Sequence, residues 1–302
     1  MPFKDISFLK NMKQAKLINV GFSKDEKWVI DDTYLLRISP QKSADLIVFQ
    51  EKYLRKINEE TSFVPKVYDA GSFQGKAYLV LDYMTGSDME VALPHFPLAK
   101  QYALGKSVGA CYRVIHQIPV DQEDQYNWKE RMLKKYVNLK GRLQAIVGED
   151  LQYLNLLSFI ESQFDLLENR SVAICHHDLH PRNVLIHQEA FAGLIDWEKL
   201  TLEDPYTDFQ KTEFFTVPIS KCYARGLFDG YFLGQEIPTE FWLLHRFYVA
   251  MLLISSKVWA HEACPSEIAF FDERIKDVLV QWDDFTLACP KWYDVSKSAS
   301  HF

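Results

Sequence analysis

Apolar and polar positions follow two different rhythms, short β-type runs over the first 85 residues and a helical repeat from about Leu93 onward. Lys27-Trp28-Val29-Ile30 and Tyr34-Leu35-Leu36-Arg37-Ile38 are rich in β-branched and aromatic side chains. Asp31-Asp32-Thr33 separates them, which predicts a hairpin. The polar stretch Gly21-Phe22-Ser23-Lys24-Asp25-Glu26 precedes the first run, and Pro40 stops the second. Leu46, Ile47, Phe49, Tyr53, Leu54 and Ile57 then recur at helical spacing, predicting one helix over 44–57. Lys66-Val67-Tyr68 and Ala77-Tyr78-Leu79-Val80-Leu81 resume the strands around Gly71 and Gly75. The last strand runs into Asp82-Tyr83-Met84-Thr85-Gly86, a predicted hinge.

Beyond it the spacing predicts helices over 99–118, 128–146 and 151–167. Three short strands follow, at 172–175, 184–186 and 193–195, and 209–287 reads as mostly helical. Gly226, Gly230, Gly234, Pro238 and Pro265 read there as turn signals. The expected architecture is therefore α+β and two-lobed: a small β-rich N-lobe over 1–85 and a larger, mostly helical C-lobe over 86–302.

Composition narrows the class. The 302 residues suffice for two cores at roughly 150 residues each. With 48% hydrophobic and 25% charged residues, disorder is excluded. A net charge of −7 argues against a nucleic-acid partner, which needs clustered Lys and Arg. The charge is uneven: residues 1–170 carry 23 basic and 22 acidic side chains, residues 171–302 carry 11 and 19. The five cysteines form no CxxC pair, so reduced thiols are expected. The start, Met1-Pro2-Phe3-Lys4-Asp5, lacks a secretory pattern, and the longest apolar run, Phe247–Ile254, falls short of the roughly 20 residues a membrane span needs. A cytoplasmic chain without a membrane partner, monomeric or homodimeric, is the expectation.

The densest chemistry is His176-His177-Asp178-Leu179-His180-Pro181-Arg182-Asn183, followed by Ile195-Asp196-Trp197. A carboxylate, an amide five residues on and a second carboxylate at a strand end are the parts phosphoryl transfer uses. One carboxylate takes the acceptor's proton, while the amide oxygen and the other carboxylate hold Mg²⁺ against nucleotide phosphates. Pro181 stiffens the loop. His176, His177, His180 and His187 offer a rival reading as a transition-metal cluster, although their spacings fit neither HExxH nor a Cys/His finger.

These residues resemble the aminoglycoside phosphotransferase family of protein-kinase-like small-molecule kinases. His176-x-Asp178-x-x-x-x-Asn183 is similar to its catalytic-loop motif, and Ile195-Asp196-Trp197 to its strand-end metal motif. Glu203-Asp204-Pro205-Tyr206-Thr207-Asp208-Phe209 resembles the following Asp-Pro…Asp segment. The resemblance implies a protein-kinase-like fold, Asp178 as the base, His176 as a brace of the loop, and Asn183 and Asp196 as Mg²⁺ ligands. It also implies a structural role for Asp208 and ATP or GTP as phosphate donor. On the nucleotide side it implies Ser23 in the phosphate loop, Arg37 where the family has a strand lysine, and a helix partner in either Gln50 or Glu51. Backbone groups of Asp82, Tyr83 and Met84 are the expected adenine contacts.

The acceptor must be read from the acidic, aromatic second half. Acidic walls concentrate cations and rings give them faces to sit on, which favours a small cationic alcohol such as an aminoglycoside. Asp272 and Glu273, then Glu262 and Trp259, are the candidate contacts. A macrolide, choline or a glycated amine would also serve as acceptor. A catalytically silent nucleotide-binding relative is the alternative from another class. No Ala-Pro-Glu activation-segment signature follows Asp196, which argues against a protein kinase.

Overall fold

The computed structural model describes residues 3–18, 24–40 and 43–293. Its contacts divide the chain into two compact units, Met1–Met89 with Arg182–Leu200, and Glu90–Pro181 with Thr201–Phe302. This partition differs from the sequence-based one at 86–89 and over 182–200, the latter segment tied to the first 85 residues by the Leu194 amide on the Phe63 carbonyl and by Gln50 on the Glu198 carbonyl.

The first unit is built on a five-stranded antiparallel sheet of β1 (Ala15–Ile18), β2 (Glu26–Ile30), β3 (Tyr34–Ser39), β4 (Val67–Phe73) and β5 (Lys76–Asp82), in the order β1-β2-β3-β5-β4. Register assigns its faces. Trp28 opposes Leu36, Leu36 opposes Val80 and Ile38 opposes Tyr78, so these side chains share one face. Phe3, Ile6 and Leu9 cover that face, each 4% exposed or less. The hydrophobic pattern of so short a segment did not announce this role. Lys27 and Arg37, paired across β2 and β3, lie on the opposite face. Helix α1 (Ala44–Glu60) starts at Ser43, whose hydroxyl accepts from the Leu46 amide, and buries Ile47, Gln50, Tyr53, Leu54 and Ile57. A second small sheet joins β6 (Ser87–Asp88), β8 (Val184–His187) and β9 (Ala190–Leu194).

In the second unit β7 (Ala173–Cys175) pairs antiparallel with β10 (Thr201–Glu203), among seven helices in the described residues. After the single turn α2 (Met89–Ala92) come α3 (Leu98–His116), α4 (Trp128–Val147), α5 (Leu151–Ser162), α6 (Lys221–Tyr231), α7 (Thr239–Ala263) and α8 (Ile268–Trp282). The apolar run Phe247–Ile254 is the middle of α7. That helix is long and apolar enough to cross a membrane, yet 78% of its most apolar window is buried inside the unit. It is the central core helix; Trp242 is one of its own buried side chains, and Trp282 of α8 is a core residue beside it.

Gly226 and Gly230, expected to mark turns, instead lie inside α6. They face Gly105 and Gly109 of α3 in a reciprocal backbone contact. A Cβ on Gly226 would sit 2.1 Å from the Tyr102 carbonyl oxygen, and one on Gly109 2.0 Å from that of Leu227. Four-residue spacing puts each pair on one helical face, so the two backbones touch where side chains would hold them apart. Gly226→Ala must push α3 and α6 apart and is expected to cost about 2 kcal/mol. Thermal unfolding checks this; an unchanged midpoint would show that the contact yields freely.

Candidate active site

In the second unit the stretch after β7 is held by one buried carboxylate. Asp208, 2% exposed, accepts from the His176 amide at 2.9 Å and the His177 amide at 2.5 Å. Two successive amides can converge in this way because His177 adopts a left-handed backbone, φ 61°. A third contact comes from His116, whose Nε2 lies 3.1 Å from Asp208 Oδ2 while its Nδ1 meets the Tyr231 hydroxyl at 3.0 Å. The fully buried His176 ring accepts the Asp178 amide on Nδ1 at 3.2 Å, so it braces the loop through its unprotonated nitrogen. The Asp178 carboxylate emerges from this frame with its side chain 14% exposed. It pairs with the Lys211 ammonium, and His180 Nε2 lies 3.7 Å away.

Lys211 was not legible as a site residue, yet its placement has a simple local cause. Asp204 caps a 3₁₀ helix over Pro205–Lys211 by accepting the Tyr206 amide, and Pro205 occupies its first turn. Side chains three residues apart eclipse on such a helix, so Asp208 and Lys211 share a face. One carries the loop's amides and the other its carboxylate.

His177 turns its ring to Glu203, Nδ1 to Oε2 3.1 Å. Burial pushes the Glu203 carboxyl up, but His177, with Lys135 and Arg131, outweighs it and brings the pKa down to about 2 from an ordinary 4.5. The stability this supplies is present above pH 4.5 and is lost as pH falls towards 2. Glu203→Gln is expected to flatten the acid limb of the stability–pH curve in that window. Urea midpoints at pH 5 and pH 3 check it; a wild-type slope in the variant would remove Glu203 from the account.

In the first unit the two metal candidates are joined by backbone. The Ile195 amide donates to the Asn183 carbonyl at 2.9 Å, which sets Asn183 beside the residue preceding Asp196. Asp196 has a left-handed backbone, φ 64° and ψ 52°, at the start of a 3₁₀ turn, and its side chain is 34% exposed. An amide and a carboxylate are hard oxygen donors, and an exposed carboxylate leaves room for water, so the set suits Mg²⁺.

The cations of this unit are arranged otherwise than expected. Arg37 is 2% exposed; its guanidinium donates to Gln50 Oε1, and its Nε lies 3.4 Å from Asp25 Oδ2. Burial pushes its pKa down, countered by Asp25, Glu198 and Asp196. Gln50 is thus the helix partner, and it reaches on to the Glu198 carbonyl at 2.7 Å. Glu51 is a correction: it pairs along the exposed side of α1 with Arg55 at 2.8 Å. Lys27, which carried no assignment, lies 3.2 Å from Asp196 Oδ1. Ser23 lies outside the described residues. At the expected hinge the Asp82 amide donates to the Lys66 carbonyl and the Tyr83 amide to that of Thr33. These two amides are committed to the fold and cannot donate to adenine. Met84's amide has no such partner among the described residues.

The acceptor candidates lie around the corner between α7 and α8. Trp259, 38% exposed, meets the Phe271 ring at 5.3 Å. Asp272 is paired with Lys257 at 2.7 Å, and Glu262 with Arg142, whose Nε donates at 2.9 Å. Glu273 is exposed. The four histidines of the rival reading serve other contacts: His176 and His177 as above, His180 against the Phe215 ring, and His187 exposed at the end of β8. His116, Cys175 and Asp208 do bring ligand atoms within 4.8 Å of one another, but Asp208 is filled by the loop's amides.

Comparison with known proteins places the family and the fold. The family model for the phosphotransferase enzyme family matches residues 14–242. The aminoglycoside 3'-phosphotransferase of Streptomyces ribosidificus is 26% identical over 158 residues, covering 48% of this chain and 56% of that protein. The match thus spans about half the length of that relative. Among solved structures, the streptomycin–ATP complex of APH(2'')-IIa has a TM-score of 0.67 at 15% identity, covering 97% of each chain. ADP-bound APH(2'')-Ib has a TM-score of 0.66 at 15% identity, covering 91% of this chain and 96% of that one. At these identities the likeness establishes the fold: α+β, of the aminoglycoside phosphotransferase kind.

Proposed function

The chain belongs to the phosphotransferase enzyme family, and from that premise we propose that it moves the γ-phosphate of ATP or GTP onto a hydroxyl of a small cationic amino sugar of the aminoglycoside class. The acceptor oxygen forms the new P–O bond as the bond to the bridging oxygen of the β-phosphate breaks, and nucleoside diphosphate leaves. Asp178 receives the hydroxyl proton, its carboxylate oriented by Lys211 and by the loop that Asp208 and His176 hold. Asn183 and Asp196 offer the oxygen ligands for Mg²⁺, which when bound offsets phosphate charge. Met84's amide is the donor left to the adenine edge. Free cysteines and a nucleotide donor both suit the cytoplasm.

The observation that carries the reading is the frame around Asp178, in which a buried carboxylate fixes the loop's backbone while the working carboxylate stays accessible. Support for the acceptor class comes from relatives: the solved structures include complexes with streptomycin and with spectinomycin. Charge supports a cationic acceptor only modestly, because Lys257 and Arg142 offset Asp272 and Glu262. The test is Mg²⁺-dependent nucleoside diphosphate release with ATP and GTP across aminoglycosides, a macrolide, choline and a glycated amine. Stimulation by aminoglycosides alone is the expected result. Stimulation by another alcohol would reassign the acceptor, and tight nucleotide binding with no stimulation by any would make the chain a silent relative.

A further inference from the structure

We propose that Lys27, on β2, is the side chain whose ammonium binds the donor's phosphates, and that Arg37 is a positioning residue that does not reach them. The assignment rests on the nucleotide-dependent reading above and departs from the expectation that the cation on β3 holds the phosphates.

Arg37 is held in a buried ionic and polar lattice. At 2% exposure its guanidinium donates to Gln50 and its Nε forms an ion pair with Asp25 at 3.4 Å, and Gln50 donates in turn to the Glu198 carbonyl. This chain of contacts ties β3 and α1 to the 3₁₀ turn that begins beside Asp196. A buried guanidinium in such a lattice cannot turn outward without orphaning the groups it satisfies. Lys27 stands directly opposite Arg37 in the β2–β3 register and therefore on the same sheet face. Its side chain, 13% exposed, ends 3.2 Å from Asp196 Oδ1 and 4.0 Å from Glu198 Oε2. The cation next to the metal-binding carboxylate is thus a lysine from β2. An ammonium is a compact charge with three rotatable donors on a flexible stem, suited to contact a phosphate oxygen while keeping a carboxylate partner.

A residue that acted only through Asp196 would change ATP affinity through the metal and leave metal-free binding unchanged, whereas a phosphate ligand acts with or without the metal. The experiment therefore compares affinity for a fluorescent ATP analogue with affinity for adenosine, both with Mg²⁺ and in EDTA, and the ratio must fall in both. The variants are Lys27→Ala, Lys27→Arg and Arg37→Met, beside the wild type. Using the ratio of the two affinities cancels any loss of folded protein. Lys27→Ala is expected to lower the ratio about tenfold or more, with Lys27→Arg recovering much of it. Arg37→Met is expected to lower the melting temperature and keep the ratio. An unchanged ratio in Lys27→Ala, or an equal fall in Arg37→Met, would overturn the assignment. A wild-type chain that binds no nucleotide would overturn the nucleotide reading itself, and this assignment with it.

Discussion

Asp178→Asn should lower phosphate transfer about a thousandfold while leaving nucleotide affinity within about twofold of wild type. The substitution keeps the side chain's shape and one acceptor oxygen, so the loop can keep its course: the Asp178 amide still meets His176 Nδ1, and the amides before it still meet Asp208. The substitution removes the charge that pairs with Lys211 and, on the proposed mechanism, the basic oxygen that takes the hydroxyl proton. A thousandfold loss corresponds to about 4 kcal/mol of transition-state stabilisation, within the range of a positioned general base. Nucleotide affinity is assigned to other residues, Lys27, Asn183 and Asp196, which lie in the first unit. Steady-state kinetics and equilibrium nucleotide binding on the same preparation check both halves. Near-normal turnover would remove Asp178 from the chemistry, and a parallel collapse of nucleotide binding would show the variant to be misfolded.

What could be read from the chain before its structure follows a physical rule. Asp178, Asn183, Asp196 and Asp208 fall within about thirty contiguous residues, and local backbone geometry sets most of what they do. Residue type and spacing singled out Asp178, Asn183 and Asp196, while Asp208 came from the family resemblance, its contacts lying 31, 32 and 92 residues away. Lys27 and Lys211 were not legible, for two reasons. Lys27 gains meaning from strand register, which sets it opposite Arg37 and near a carboxylate 169 residues away in sequence. Lys211 depends on a 3₁₀ helix, whose i, i+3 eclipse is invisible without knowing the helix type. The same contrast holds for the fold. The β2–β3 hairpin and helices α1, α3 and α4 announced themselves by period, with ends shifted by at most three residues, while α5 ends at Ser162, five residues before the expected 167. Strands β1, β6 and β10 have two to four residues each, too few for a pattern. Gly226 and Gly230 misled because a glycine at a turn and a glycine at a helix crossing look alike until the partner helix is known. The choice between Gln50 and Glu51 was open for a similar reason: adjacent residues on a helix point about 100° apart, and only the contact with Arg37 shows which faces the sheet.

Asp208→Ala is expected to be the most damaging single change to stability in the second unit, and to lower turnover with it. The carboxylate has no exposed surface, and its two oxygens take three contacts, from the amides of His176 and His177 and from the His116 ring. Removing it orphans buried donors at about 1–3 kcal/mol each, and His177 no longer has a reason to hold a left-handed backbone. A net loss of about 4 kcal/mol is expected, which lowers the melting temperature by roughly 10 °C. Turnover should fall further than the folded fraction does, because the residues that lose their support, His176 and His177, immediately precede Asp178. Asp208→Asn separates the two effects. It keeps the volume and one acceptor oxygen but turns an NH₂ group towards donors, so it should retain most of the packing while still releasing one amide of the loop. The expected order is therefore wild type, Asn, Ala in melting temperature, with turnover already reduced about a hundredfold in Asn. Calorimetry and single-turnover phosphate transfer at 10 °C below each variant's own midpoint measure the two quantities independently. If Asp208→Ala melted with the wild type and turned over normally, the loop would be held by something other than this carboxylate, and the frame assigned to Asp178 would be wrong.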